Sequence, residues 1–214
     1  SKILMTEFIN RFPLISVRCN GSYDYMINSL NHYSNNILNT SCPVIFNVDQ
    51  IDKNFEKKSL YKKLIVTLTD RAFLKDQLPL LKFAPIIFKS KIKVLALHQD
   101  YNNVELQNFA KQLGYEIFIS DQYQDYIDLY KESDIHIGNR VHGHLKCLSM
   151  GIPSFCTPFD MRQKFFSISI GLPLVNKTND PSLKDFNFKN FKNHQKERFK
   201  TMRRFISKIL EQIT

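Results

Sequence analysis

The segment from residue 134 to residue 156 concentrates side chains that can do chemistry. An arginine and two histidines, Arg140, His142 and His144, lie within five consecutive positions directly after an apolar run. Arginine presents a planar pair of donors that suits a carboxylate or a phosphate, whereas histidine can carry a proton near neutral pH. The spacing therefore indicates a site that holds an anion at Arg140 and moves a proton at His142, while His144 is expected to pack.

The surrounding sequence alternates between strand-like and helix-like segments from residue 64 onward. The apolar patterns predict strands over 64–70, 91–98, 116–121, 134–139 and 152–157, and helices over 72–84, 104–114, 123–133, 140–151 and 162–171. Pro79 is expected to kink or end the first of these helices. Such alternation is typical of βαβ units on a parallel sheet covered by helices on both faces. We therefore predict a Rossmann-like α/β fold.

This fold decides where the candidate residues lie. In an open parallel sheet, ligands bind outside the carboxyl ends of the strands. Asn139, Arg140 and His142 follow the predicted strand 134–139 and open the next helix, whose first turn already favours an anion. His98 ends another predicted strand, so we expect it to line the same pocket.

Upstream of residue 64 the pattern is less regular. We predict a strand over 14–20, a helix over 21–33, an Asn/Ser-rich loop over 34–43 and a short strand over 44–48. The terminal segment has apolar residues at helical spacing, which predicts a long helix packing back on the body.

Composition narrows the class of protein. Of the 214 residues, 43% are hydrophobic, which is enough for a sizeable core. The four cysteines, at positions 19, 42, 147 and 156, form no CxxC pair and no metal-ligand spacing, so we expect reduced thiols in the cytoplasm and no metal site. No apolar run reaches the roughly 20 residues of a membrane span, and the first residues lack the features of a signal peptide. The absence of an initiator Met indicates a processed or partial chain.

The net charge of +10 is concentrated near the carboxyl end, where residues 184–214 hold nine basic and three acidic side chains. A basic, amphipathic helix there could contact an anionic membrane surface, although a solvated helix face explains the charge as well. Aromatic patterns of nucleic-acid-binding modules are absent, so we expect no nucleic acid partner.

The block from residue 134 to residue 173 resembles the signature of polysaccharide pyruvyl transferases. Its elements are a hydrophobic strand, Arg140-Val141-His142-Gly143, an apolar helix, Gly151-Ile152-Pro153, a second strand, Phe159-Asp160, Arg162 and Gly171-Leu172-Pro173. Upstream, ISVRCNGSYDYM is similar to a strand and helix start of that family and contains Arg18, and LALHQD is similar to a later strand that ends in His98. The likeness covers most of residues 14–175. Arg162 stands where the family usually has lysine.

This resemblance implies a two-domain fold like that of B-type glycosyltransferases, with phosphoenolpyruvate as the donor. The acceptor would be a sugar of a cell-surface glycan or its lipid-linked precursor, on which a ketal forms. Arg140 and Arg18 would hold the donor's carboxylate and phosphate, and His142 would be the acid. The substrate site would be completed by Asn139, Gly143, His98, Asp160 and Arg162. No metal or cofactor is required, and the protein would be cytoplasmic or peripheral at the inner face of the membrane.

The polar and charged segment 49–62 indicates a boundary or crossover, and together with the resemblance it predicts a division of the chain into three parts. Residues 1–62 would be the end of an amino-terminal Rossmann-like domain with a crossover, and residues 63–183 the donor-binding Rossmann-like domain. Residues 184–214 would form the basic carboxyl-terminal helix.

Two alternatives fit the same residues. A nucleotide-sugar glycosyltransferase of the B type would place its diphosphate at the same helix start. A degenerate binding module would keep the fold without catalysis. Stabilisation by phosphoenolpyruvate, by nucleotide-sugars or by neither distinguishes the three possibilities.

Overall fold

The structure is a computed structural model and describes residues 6–7, 11–29, 36–47, 50, 61–69, 74–98, 103–171, 175 and 188–213. In chain order its elements are β1 (Ile15–Val17), α1 (Asn20–Asp24) continued by a π-helical turn (Tyr25–Ser29), β2 (Ile37–Asn39), a 3-10 turn (Pro43–Ile45), β3 (Lys63–Thr67), α2 (Leu74–Phe88), β4 (Ile92–His98), α3 (Val104–Gln112), β5 (Glu116–Ser120), α4 (Tyr123–Lys131), β6 (Ile135–Gly138), α5 (Val141–Ser149), β7 (Ser154–Cys156), α6 (Met161–Ser169) and α7 (Phe188–Ile213).

Five parallel strands form the main sheet in the order β5-β4-β3-β6-β7. The chain moves outward from β3 through β4 to β5 and then returns to the other side of β3 with β6 and β7. Thr67, at the end of β3, is in register with Ala96 of β4 and Gly138 of β6. The strand order therefore reverses between β3 and β6, which is the place where open α/β sheets bind ligands. The predicted Rossmann-like fold is confirmed.

The central strand β3 is apolar because helices cover both faces of the sheet. Leu64 and Val66 belong to a core cluster with α2 and α3, and Ile65, on the opposite face, packs in a second cluster with α4. All three side chains have no exposed surface. A strand buried on both faces reads as a continuous hydrophobic run, which is why the sequence pattern identifies it.

At the end of β6 the two central strands approach closely. A Cβ atom built on Gly138 would overlap the carbonyl oxygen of Thr67 in β3. Glycine at this position allows β6 to pair with β3 at the point where the strand order reverses.

A chain of polar side chains runs through the core beneath this point. His136 Nε2 lies 2.9 Å from Thr67 Oγ1, and His136 Nδ1 lies 2.5 Å from Ser154 Oγ. Ser154 Oγ also lies 2.7 Å from His144 Nδ1 on α5, so the hydroxyl can donate to one ring while it accepts from the other. Burial lowers the pKa of His136 well below its usual value, and it lowers the pKa of His144 to about 3. Both histidines are therefore neutral and structural, as expected for His144.

The expectation of a short strand over 44–48 is wrong for the described residues 44–47, because Pro43–Ile45 forms a 3-10 turn. The strand β2 lies instead inside the Asn/Ser-rich segment. There it pairs in parallel with β1 as a separate two-stranded sheet. Of the two effects expected of Pro79, a kink or a helix end, the second is wrong, because α2 continues through Pro79 and Pro85 to Phe88.

The long helix α7 packs against the end of β2 and the segment that follows it. Three of its side chains donate to main-chain carbonyls there: Lys192 Nζ to Gln50 (2.6 Å), Gln195 Nε2 to Ile45 (2.5 Å) and Arg198 Nη1 to Asn39 (3.0 Å). The predicted terminal helix is thus present. None of the described helices is both long and apolar enough to cross a membrane. The three-part division of the chain stays a prediction.

Candidate functional site

A pocket of about 430 Å³ opens between α4 and α5, above the carboxyl ends of β3 and β4. Its lining side chains come from three sources: the strand ends (Thr67, Ala96, Leu97), the two helices (Tyr123, Tyr126, Tyr130, His142, Gly143, Lys146) and flanking loops (Val44, Arg140). The pocket therefore lies beside the reversal of strand order, where the sequence places it.

The pocket is positively charged. Arg140 and Lys146 line it together with His142, and none of the described lining residues is acidic. Arg140 is half-buried and His142 is exposed. A cleft lined by cations and low-dielectric walls attracts an anionic ligand.

The start of α5 adds main-chain donors to this charge. Arg140 is the N-cap residue, and its side chain makes no capping hydrogen bond. The first N–H groups of a helix have no partner within the helix, and the helix dipole favours an anion there. Arg140 and the first turn of α5 are thus arranged to bind a carboxylate or a phosphate from two sides.

The opposite wall consists of three tyrosines of α4, which sequence analysis did not select. Tyr123 is 67% exposed at the mouth, Tyr126 is half-buried, and Tyr130 is only 6% exposed. Their spacing of three and four residues marks one helix face, so the signal was present in the sequence. Only the packing of α4 beside α5 shows that this face meets the cationic residues. Lys146, one turn beyond His142 on α5, was missed for the same reason.

Two predicted site residues lie beside the pocket and support its frame. The Asn139 N–H donates to the Thr67 carbonyl at 3.0 Å, and the Asn139 carbonyl accepts from Gln163 Nε2. The Asn139 side chain is buried, and its Oδ1 has no hydrogen-bond partner among the residues that the structure describes. Asp160 is the N-cap of α6, where its Oδ1 accepts from the Gln163 N–H at 2.9 Å. Both residues connect the ends of β6 and β7.

The remaining predicted residues are less closely placed. The Arg18 guanidinium lies 5.5 Å from the centre of the Phe166 ring on α6, and Arg18 is not among the lining residues of this pocket. His98 is the last residue of β4 and Arg162 lies in the first turn of α6, but their side chains fall outside the described part of the structure. The roles of these three residues stay predictions.

The described residues contain no group of three or more His, Cys, Asp or Glu side chains that could hold a metal ion. The four cysteines are buried and unpaired.

Comparison with protein families assigns the chain to a known family. The model of the family "Polysaccharide pyruvyl transferase" matches residues 1–160, which is three quarters of the chain. The chain belongs to this family. The matched region contains Arg140, His142 and Gly143, and it ends just before Arg162, so the resemblance drawn from the sequence is confirmed at the family level. A search of curated proteins finds no match.

Solved structures support the fold of this pyruvyl transferase family member. A complex of accessory secretory proteins 1, 2 and 3 from Streptococcus pneumoniae aligns with a TM-score of 0.61 at 10% identity, covering 99% of this chain and 46% of that one. The Staphylococcus aureus MnaA–UDP structure aligns with a TM-score of 0.56 at 14% identity, covering 89% and 52%. The UDP-GlcNAc 2-epimerase of Methanocaldococcus jannaschii, solved with UDP-GlcNAc and UDP, gives 0.52 at 11% identity, covering 86% and 59%.

These similarities place the chain among folds of the glycosyltransferase B type. The chain spans about half the length of the solved structures that it matches.

Proposed function

We propose that this chain is the donor-binding part of an enzyme that transfers pyruvate from phosphoenolpyruvate to a sugar and forms a ketal. The observation that supports the proposal is the cationic pocket beside α5. Arg140, His142 and Gly143 of the motif line this pocket, which lies where the strand order reverses. Both ends of phosphoenolpyruvate are anionic, and this pocket has no acidic lining residue among those described to oppose them.

Donor binding follows from the charges. The Arg140 guanidinium can make two parallel hydrogen bonds to the carboxylate or the phosphate. The first turn of α5 and the Lys146 ammonium can bind the other anionic group. Lys146 lines the pocket, so it supplies a second cation there whatever the role of Arg18.

His142 is the proposed acid because it lines the pocket on the exposed first turn of α5. Its imidazolium gives a proton to the methylene carbon of phosphoenolpyruvate, and the electron pair of the double bond forms the new C–H bond. The cationic C2 is stabilised by its oxygen substituent and is attacked by a sugar hydroxyl, which returns a proton to His142. Phosphate then leaves with the electron pair of its C–O bond, and a second hydroxyl closes the ketal with loss of its proton.

The acceptor and the place of reaction belong to the same proposal. The family name points to a polysaccharide, and a cell-surface glycan or its lipid-linked precursor would present the required pair of hydroxyls. A cytoplasmic location, with a peripheral contact between the basic helix α7 and anionic lipid, fits such an acceptor.

One observation favours a second candidate, an enzyme that uses a nucleotide-sugar. Tyr123 presents a largely exposed ring at the mouth of the pocket, and tyrosine rings stack well on nucleobases. A diphosphate would then occupy the start of α5.

The first experiment is a thermal-shift titration of the chain with phosphoenolpyruvate, phosphate, pyruvate and UDP-sugars. We expect a saturable rise of the melting temperature with phosphoenolpyruvate and a smaller effect of phosphate or pyruvate alone, because each carries only one of the two anionic groups. A rise with UDP-sugars only would support the second candidate, and no rise with any ligand would contradict both.

A further inference from the structure

The buried end of the tyrosine wall holds a polar group that no described residue satisfies. Tyr130 lines the pocket and is 94% buried, since only 6% of its surface is exposed. Its ring is fixed by an edge-on contact with His136, whose centre lies 6.0 Å away. The Tyr130 hydroxyl makes no hydrogen bond to any residue in the described part of the chain. Tyr130 is a largely buried side chain whose hydroxyl lines the pocket and has no partner among the described residues, so this hydroxyl is available to donate to a ligand.

The hydroxyl lies against the first turn of α5. A Cβ atom built on Gly143 would be only 2.9 Å from Tyr130 Oη. Glycine at this motif position therefore leaves the space in which the hydroxyl meets the helix start. An anion bound at that turn would be within reach of both the main-chain N–H groups and the tyrosine.

The electrostatic setting keeps this hydroxyl a donor. Burial raises the pKa of Tyr130 far above its usual value, which the positive charge of Arg140 only partly offsets. Burial thus favours the neutral O–H, which can donate a hydrogen bond, and Tyr130 and Arg140 line the same pocket.

We propose that Tyr130 is an anion-binding residue of this pocket and that its hydroxyl donates a hydrogen bond to a carboxylate or phosphate oxygen held at the start of α5. This inference rests on the proposed function for the identity of the anion, which is phosphoenolpyruvate. The role differs from that of Arg140, because the neutral hydroxyl orients the bound anion through a directional hydrogen bond and adds no charge to the pocket.

The test is the substitution Tyr130→Phe, which removes the hydroxyl and keeps the ring. We expect the dissociation constant for phosphoenolpyruvate to rise about tenfold, as for the loss of a hydrogen bond to a charged group. The ligand-free variant should melt at the same or a higher temperature than the parent, since the removed hydroxyl has no protein partner. Binding is measured by calorimetric titration and melting by thermal shift.

Tyr115→Phe is the matched control. Tyr115 is also a buried tyrosine, but its hydroxyl donates to the Leu81 carbonyl at 2.9 Å, away from the pocket. This control should lower the melting temperature and leave the affinity for phosphoenolpyruvate unchanged. The two variants thus separate loss of a ligand contact from loss of a structural hydrogen bond.

A double variant tests the geometry without any ligand. Gly143→Ala places a methyl group against Tyr130 Oη, so this variant should melt at a lower temperature than the parent protein. In the Tyr130→Phe background the nearest ring atom is the carbon at 3.6 Å, and the same substitution should cost less. Equal losses in both backgrounds would contradict the placement of the hydroxyl and overturn the proposal.

The outcomes also separate this inference from the proposed function. If the parent binds phosphoenolpyruvate and Tyr130→Phe binds it equally well, the role of Tyr130 is wrong and the proposed function stands. If the parent binds UDP instead and Tyr130→Phe weakens that binding, the tyrosine's role stands and the proposed donor is wrong. A parent that binds neither anion overturns both.

Discussion

Arg140 and His142 are two residues apart, and the proposed reaction gives them different tasks. Arg140 is half-buried at the N-cap of α5, so its charge acts on whatever anion the helix start holds. His142 is exposed on the first turn, where a ligand and the acceptor can both reach it. Binding and proton transfer should therefore be separable by substitution.

We expect Arg140→Ala to weaken phosphoenolpyruvate binding about a hundredfold, because two charge-assisted hydrogen bonds are lost. His142→Ala should bind the donor normally and lose turnover by a factor of about 10² to 10⁴. Binding is followed by calorimetry and turnover by phosphate release from phosphoenolpyruvate, with a sugar or water as the acceptor. Arg203→Ala, which removes an exposed arginine of α7, is the control and should change neither quantity. Retained turnover in the His142 variant would exclude this residue as the acid.

Among the elements, α6 shows how a predicted substrate residue can have a structural task. The side chain of Asp160 caps this helix through the Gln163 N–H, and Gln163 in turn accepts from the Phe159 N–H at 2.7 Å. The same glutamine reaches the Asn139 carbonyl beside the pocket. The cap therefore helps to hold the ends of β6 and β7 together.

Asp160→Ala should lower the free energy of unfolding by about 1 kcal/mol, the usual cost of losing an N-cap, and Asp160→Asn should cost much less because asparagine caps as well. The matched control is Asn103→Ala at the N-cap of α3, where the side chain accepts from the Leu106 N–H at 2.9 Å. Urea unfolding measures all three. An asparagine variant as unstable as the alanine variant would show that the charge of Asp160, not its capping geometry, stabilises the protein.

The elements also show what local sequence can and cannot encode. The strands of the main sheet are predictable because burial on both faces makes them continuously apolar. Strand β2 is not, because three residues in an Asn/Ser-rich segment become a strand only by pairing with β1, some twenty positions earlier. Helix α2 passes through Pro79 because Leu80, Leu81 and Ala84 are packed into the core, and this burial outweighs the lost hydrogen bond.

The same distinction applies to the candidate site. Arg140 and His142 follow a strand directly, so their position at the ligand edge can be inferred from the order of elements. The tyrosines of α4 could be recognised as one face but not assigned to the pocket, since that requires knowing which helices are neighbours. The motifs that carry the resemblance to the family do not include these tyrosines either.

For the whole molecule, the buried histidines link stability to pH. His136 and His144 join β3, β6, β7 and α5 through Thr67 and Ser154, and both are held neutral by burial. In the unfolded chain they take up protons below their ordinary pKa of 6.5. The half-buried His194, whose pKa burial lowers to about 4, acts in the same direction.

The free energy of unfolding should therefore be constant above about pH 7 and fall as the pH drops below 6.5. In that range the histidines take up protons in the unfolded chain but stay neutral in the folded protein, so protons stabilise the unfolded state. Between pH 7.5 and pH 5.5 each fully buried histidine should contribute a loss of about 1.4 kcal/mol. Urea unfolding at the two pH values measures the difference. A free energy of unfolding that is equal at both values would contradict the neutral state of the buried pair.

The close approach at Gly138 limits how such a protein can diverge. Any side chain there would collide with the Thr67 carbonyl, so the joint between β3 and β6 cannot be altered by single replacements without separating the two strands. The residues around the mouth, such as the exposed Tyr123, are under no comparable constraint. Substitutions at the rim can therefore alter what the pocket accepts, while the packing at Gly138 keeps the pocket where it is in the sheet.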